Sequence, residues 1–309
     1  MSLHPVVQAI WDRVQASGFG GYSTCPVAEA RAHFSQTSRA FAGGPGMHAL
    51  REVAIPVEGG SIGARLYLPV ARPAGLCVYF HGGGWTLGAL DDFDALVRTL
   101  AARSGAAFLS VDYRLAPEHP FPVPVEDAIA AVRWAAANSA RLGSGAHLAV
   151  AGDSAGGNLA TVAALALRGE AAIDLQILFN PAVDTDKTRP SFEAYGTDYL
   201  LRTADVDWFM RHYAPGADPR DPRLAPLRTG DLSGAPPAWI GVAEYDVLTD
   251  EATAYAAALQ AAGVPATLRR VEGVMHGFAR QHAMVDAADR AVGEAAEALR
   301  RAFAGPEAA

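Results

Sequence analysis

The pentapeptide Gly152-Asp153-Ser154-Ala155-Gly156 sets one serine between two glycines. A serine hydroxyl is a poor nucleophile unless a base takes its proton, and that base needs a carboxylate to orient it. The apolar run His147–Ala151 precedes the pentapeptide, and a helical pattern opens at Ala155. Strand, tight turn and helix are the context in which a serine is lifted clear of a sheet, with the positive end of a helix aimed at it. Glycine is needed on both sides, because a Cβ at either position would collide with the neighbouring strand or helix. A second group, His81-Gly82-Gly83-Gly84-Trp85, follows the apolar run Leu76–Phe80 directly. Three adjacent glycines let backbone N–H groups approach a ligand closely, as a developing oxyanion requires. An added methyl at Gly83 is expected to enter that site or rotate the N–H away. His81 reads as a residue that holds the loop by hydrogen bonds.

The remaining partners should follow in the order acid, then histidine. Trp239–Val242 reads as a strand leading into Glu244-Tyr245-Asp246 and Asp250. Asp246 is the chosen carboxylate, with Glu244 as the rival nearer the strand, and Asp250 reads as a helix N-cap or a supporting partner. Ala266–Val271 reads as the next strand, and His276 lies in the loop before the last helix. His282 falls at that helix and reads as a surface histidine. His4, His33, His48, His119, His147 and His212 lie outside the expected position.

These residues need elements to hold them. Glu52–Val57 and Ala64–Leu68 flank the turn residues 58–61 and read as a hairpin. Short apolar runs then recur at 76–80, 107–111, 147–151, 175–179, 239–242 and 266–271, eight strands with the hairpin. Helical patterns fall at 92–104, 125–139, 155–168, 249–263 and 283–304. The alternation and the bare apolar strands predict an α/β fold, a mostly parallel sheet covered on both faces. Residues 1–48 read as helical and loop pieces, with helical spacing over 6–11 and 27–40. Residues 184–232 break the rhythm as a polar, proline-rich and aromatic insertion, with one short helical piece near 204–213.

Composition removes several alternatives. The 309 residues include 25 Lys and Arg against 33 Asp and Glu, a net charge of −8, which argues against a nucleic-acid phosphate track. Lys187 is the one lysine, and Asp184 stands three residues before it. Neither Ser-x-x-Lys nor a phosphate-binding P-loop is therefore present. Cys25 and Cys77 are too few for a disulfide framework or a four-thiolate zinc site, and Cys77 reads as core. No apolar run approaches the roughly 18 residues of a membrane span, and no leader pattern opens the chain, so a cytoplasmic protein is expected. No metal or organic cofactor is expected.

Four blocks now carry a resemblance: His81–Gly84; Asp112-Tyr-Arg114-Leu-Ala-Pro-Glu118-His-Pro-Phe-Pro122; Gly152–Gly157; and Asp246-x-Leu-x-Asp250 followed by His276-Gly277-Phe278. In this order the chain resembles the hormone-sensitive-lipase-like carboxylesterases, the bacterial family IV enzymes of the α/β-hydrolase fold. Where that family usually has proline after its catalytic aspartate, this chain has Val247. The resemblance implies Ser154 as nucleophile, His276 as general base and acid, Asp246 as orienting carboxylate, and the N–H groups of Gly83, Gly84 and Ala155 as oxyanion hole. It also implies a helical cap built from residues 1–48 and about 186–220 over a core of 49–309. Its glycine-rich loop is associated with bulky alcohol groups, a space that Trp85 could close. Gly82, Asp153, Arg114 and Glu118 read as supporting residues, the last two fixing loops behind the serine through Asp153. A short-acyl ester is the expected substrate. An amidase, lactonase or sugar-ester deacetylase would share the triad, and a non-catalytic receptor on the same fold would lack His276. A homodimer is left open.

Overall fold

The computed structural model describes residues 2–304. Nine α-helices occur among them: α1 (Pro5–Ala16), α2 (Val27–Ser38), α3 (Leu90–Ser104), α4 (Val123–Leu142), α5 (Ala155–Ala166), α6 (Pro190–Tyr195), α7 (Thr203–Tyr213), α8 (Thr249–Ala261) and α9 (Asp286–Ala304). The strands are β1 (Ala49–Val57), β2 (Gly60–Leu68), β3 (Gly75–Phe80), β4 (Ala107–Asp112), β5 (His147–Asp153), β6 (Leu175–Phe179), β7 (Ala238–Tyr245) and β8 (Ala266–Met275). They form one sheet in the order β1-β2-β4-β3-β5-β6-β7-β8. β1 and β2 form the predicted hairpin, and β2 runs antiparallel to β4. From β4 through β3 to β8 every pairing is parallel.

The parallel strands can be apolar throughout because both faces are covered. On one face Val78, Leu109, Val150 and Ile240 pack against Val125 and Ala128 of α4, Leu159 of α5 and Tyr255 of α8. On the other, Tyr79, Ala151 and Ile177 pack against Phe93 and Leu96 of α3 and Val292 and Leu299 of α9. Crossover connections put the free C-terminal ends of β3, β5, β7 and β8 along one rim, and the chemical motifs follow those ends.

β7 and β8 are among the strands that run farther than their apolar patterns. β7 continues past Val242 to Tyr245, with a register shift between Ala243 and Tyr245. β8 continues past Val271 to Met275 through Gly273, whose φ of 72° takes the chain where a side chain is disfavoured. Two groups hold this bend. Glu244 accepts from the Gly273 N–H at 2.8 Å, and the Gly273 carbonyl accepts from His4 N at 2.8 Å. A Cβ on Gly273 would meet that same nitrogen at 3.0 Å. The last helix begins at Asp286, not at 283, because Phe278–Gln281 first makes a tight 3-10 turn.

The N-terminal segment and the insertion meet each other. Asp205 of α7 is fully buried and accepts from Ser23 N at 2.8 Å, and Arg202 donates to the Gly20 carbonyl. The Tyr22 and Phe209 rings lie 5.8 Å apart. The six-residue α6 has no counterpart in the sequence reading, since one and a half turns leave too little periodicity to see.

The turn at the end of β5 rests on absent side chains. A Cβ on Gly156 would lie 2.0 Å from the Phe80 carbonyl oxygen and 2.5 Å from that of His81, both rigid backbone. Gly156→Ala should therefore destabilise the fold by about 3 kcal/mol, the upper range for overpacking. Urea unfolding measures this, and a loss under about 1 kcal/mol would contradict the tight crossing of α5 over β3.

Candidate active site

Ser154 stands between β5 and α5 with φ at 57°, a strained value for a residue with a side chain. Its N–H donates to the Phe179 carbonyl at 2.8 Å, and its carbonyl accepts from Asn158 N at 3.0 Å. A Cβ on Gly152 would sit 2.2 Å from the Gly156 oxygen, so both flanking glycines are required by contact as well as by pattern. The strained turn leaves the hydroxyl facing a cavity of roughly 400 Å³.

His276 follows β8 and reaches both neighbours. Its Nε2 lies 2.9 Å from Ser154 Oγ, and its Nδ1 lies 2.7 Å from Asp246 Oδ2. Asp246 follows β7, is buried, and accepts further hydrogen bonds from Leu248 N at 3.1 Å and from Asn180 Nδ2. Burial opposes charge on the imidazole. The charge and hydrogen bond of Asp246, with Asp153 behind, outweigh burial and raise the His276 pKa above the ordinary value. Glu244 takes no part in this contact: its carboxylate is occupied by Gly273 N and lies 3.7 Å from Arg270. Of the two acids it is Asp246 that contacts His276, because β7 is long enough to turn Glu244 toward the β8 bend.

Gly83, Gly84 and Ala155 line the same cavity. Among the described residues none accepts a hydrogen bond from their backbone N–H groups. The loop that carries the two glycines is buttressed from below. Tyr113 donates to the His81 carbonyl at 2.8 Å, and the His81 ring stacks on Tyr113 with centroids 4.4 Å apart. His81 Nδ1 lies 2.9 Å from the Gly82 carbonyl, and burial lowers its pKa, so a neutral ring donates there. A methyl on Gly83 would meet the Leu87 carbonyl at 2.3 Å, not the oxyanion site, so the restriction comes from the loop's own fold. On Gly84 it would meet the Phe209 ring at 2.1 Å. The Phe209 ring of α7 therefore packs directly against the open loop. Trp85 also lines the cavity, while its indole stacks on Tyr213 at 4.2 Å.

Several supporting residues are placed differently from the sequence reading. Arg114 pairs with the buried Asp127, and Glu118 pairs with Arg31 of α2; neither carboxylate nor guanidinium is bound to Asp153. Glu118 thus ties the N-terminal segment to the core. Asp153 is buried against Gly82, its Oδ1 has no partner among the described residues, and burial lifts its carboxyl to about 6 against the pull of His276 and Arg280. Asp250 does not cap its own helix, whose N-cap is Leu248. It accepts instead from Ser191 N of α6 at 2.8 Å, because the insertion brings another helix start within its reach. His282 is buried, with Nε2 2.9 Å from Thr99 Oγ1, since the 3-10 turn rotates it beneath α3.

Asn180, Glu251 and Arg280 were not anticipated. Asn180, directly after β6, takes φ 43° and thereby reaches Asp246; its place before Pro181 at a strand end is the signal that could have found it. Glu251 is buried and accepts from Val183 N at 2.7 Å and Asp184 N at 3.2 Å, pinning the start of the insertion. No periodic pattern announces such a contact.

The profile of the alpha/beta hydrolase fold matches residues 77–280. The chain belongs to this family, in its hormone-sensitive-lipase-like branch. It is 40% identical over 290 residues to the carboxylic ester hydrolase LipN of Mycobacterium tuberculosis, covering 90% of this chain and 77% of that protein. It is 36% identical to the ethyl acetate hydrolase of Pseudomonas putida, covering 97% and 99%. Among solved structures, the hyperthermophilic esterase of the archaeon Pyrobaculum calidifontis superposes with a TM-score of 0.92 at 38% identity, covering 97% and 98%. Two segments outside the sheet contribute to the walls of the cavity. Residues of the N-terminal segment (Trp11, Phe34) and of the insertion (Phe209, Met210) line it together with Ser154 and His276.

Phe209 stands where Gly84 leaves an opening. Phe209→Ala should raise the turnover of tert-butyl acetate relative to ethyl acetate by about tenfold, the order that a few methylenes of pocket space are worth. An unchanged ratio, followed by acid release in a pH-stat, would show that another group limits the bulk accepted.

Proposed function

We propose that the protein hydrolyses short-acyl carboxylic esters through an acyl-enzyme intermediate. The observation that carries this reading is the single imidazole of His276 within hydrogen-bonding distance of both Ser154 and a buried carboxylate. In the proposed cycle His276 takes the Ser154 proton as Oγ attacks the ester carbonyl. Three free N–H groups, on Gly83, Gly84 and Ala155, meet the developing oxyanion. The tetrahedral intermediate expels the alcohol, which receives its proton from His276. Water, deprotonated by His276, then attacks the acyl-enzyme and releases the acid and the serine.

Asp246 would hold Nδ1 as the donor and stabilise the imidazolium, while Asn180 and Leu248 N keep the carboxylate in place. The N-terminal segment and the insertion would act as a cap that excludes water and selects substrates. The names of the related enzymes support an ester over an amide or lactone, and the position of His276 supports catalysis over passive binding. Ester hydrolysis at this site requires no group beyond the chain and water.

Ser154→Ala should abolish turnover of p-nitrophenyl butyrate by about 10⁴-fold or more while urea unfolding stays near wild type, since the hydroxyl packs little. Retention of a tenth of the activity would overturn the assignment.

The base must be neutral to act, so kcat/KM should fall as pH drops through the His276 pKa, with a midpoint above the ordinary 6.5. Asp246→Asn removes the carboxylate that raises this pKa. It should move the acid limb to lower pH and cost roughly 10³-fold or more in kcat. Glu244→Gln should leave the limb where it is. A limb that follows Glu244 and ignores Asp246 would exchange their roles.

A further inference from the structure

A cation stands inside the cavity that the proposed mechanism does not use. Arg280, from the turn after His276, lines the same space as Ser154 and His276. Its guanidinium carbon lies 4.7 Å from the Phe34 ring centroid, 5.3 Å from Phe41 and 4.8 Å from Phe93. Aromatic faces hold the charge without consuming its hydrogen-bonding edge. Nη2 donates to Ser38 Oγ, Nε is buried without a partner, and Nη1 has no hydrogen bond among the described residues. No described carboxylate lies within ion-pair distance of the group. The nearby acids are committed or set apart: Asp92 accepts from Ser35 Oγ at 3.1 Å, and Asp153 feels Arg280 only through space. The other basic groups of the cavity are spent. Lys187 pairs with Asp207, and Arg202 donates to Gly20 O and lies over Trp11.

We propose that Arg280 is a specificity-determining residue that recognises a carboxylate on the non-reacting end of the ester. The inference rests on the ester-hydrolase reading above. The half-buried guanidinium keeps N–H bonds unmade toward the cavity, and a carboxylate entering it would supply acceptors and opposite charge at once. The aromatic faces fix the plane of the guanidinium, so its open edge is already oriented. The preferred substrates are thus monoesters of a short dicarboxylic acid, or acyl esters of a short hydroxy acid. Each hydrolysis consumes one water and cleaves only the acyl–oxygen bond, and the distal carboxylate is unchanged.

Two pairs of esters matched in shape separate the sources of the charge. Monoethyl glutarate is compared with ethyl 5-methylhexanoate, and 4-acetoxybutanoate with 4-methylpentyl acetate, all by pH-stat at pH 7.5. Turnover of the neutral members reports whether the protein is an ester hydrolase at all. In wild type, at least one carboxylate ester should match or exceed the kcat/KM of its isostere, and the pair that does so tells which side of the ester faces Arg280. Arg280→Met should lower that anionic-to-neutral ratio by about tenfold or more, chiefly through KM, and Arg280→Lys should restore part of it. Two results would overturn the proposal: both carboxylate esters poorer than their isosteres by tenfold in wild type, or a ratio unchanged in Arg280→Met that still hydrolyses the neutral esters.

Discussion

One imidazole has to touch a serine and a buried carboxylate at the same time, and much of this structure can be understood as the means of arranging it. Ser154, Asp246 and His276 sit beyond the ends of three different strands, β5, β7 and β8. A parallel sheet brings such ends to one rim, but only side-chain-free crossings bring them close enough. The glycines at 152 and 156 let α5 lie against β3 with Ser154 in its strained turn between them. The bend at Gly273, held by Glu244 and by the backbone of His4, delivers His276 to the rim. The N-terminus thus contributes to the site through the strand it braces.

Electrostatics work in the same direction. Burial alone would discourage an imidazolium at His276, yet Asp246 lies against Nδ1 and raises its pKa. Asp153 adds to that effect without contacting the ring, at the cost of an unpaired oxygen in the interior. The cavity also has the opposite feature, a guanidinium held among aromatic rings. A site so arranged favours charge in the reacting groups and a defined polarity in whatever enters.

The sheet was legible because bare apolar strands and amphipathic helices have distinct periods, and the three site residues were legible because each follows a strand within a few positions. What could not be read was set by contacts distant in sequence. The sequence favoured Asp246 and kept Glu244 as a rival, and it is the length of β7 and the bend of β8 that set the two apart in space. Arg114 and Glu118 looked like partners of the serine turn, but a charged side chain gives no sign of which distant residue it will meet. Arg114 found Asp127, and Glu118 found Arg31 across 87 positions. His282 follows the same rule in reverse: a histidine in a polar stretch was turned inward by a four-residue 3-10 turn too short to show a period. Phe209 and Arg280, which shape the cavity, come from segments whose placement depends wholly on packing.

The proposed concerted action of Ser154, His276 and Asp246 is tested most directly by covalent capture. A dialkyl p-nitrophenyl phosphate should release one equivalent of p-nitrophenol per chain, and peptide mass spectrometry should place one dialkylphosphoryl group on Ser154. His276→Asn, folded by circular dichroism, should react more slowly by about 10³-fold or more. An adduct on another residue, or labelling of Ser154 undiminished without His276, would contradict the assignment of these residues as one catalytic unit.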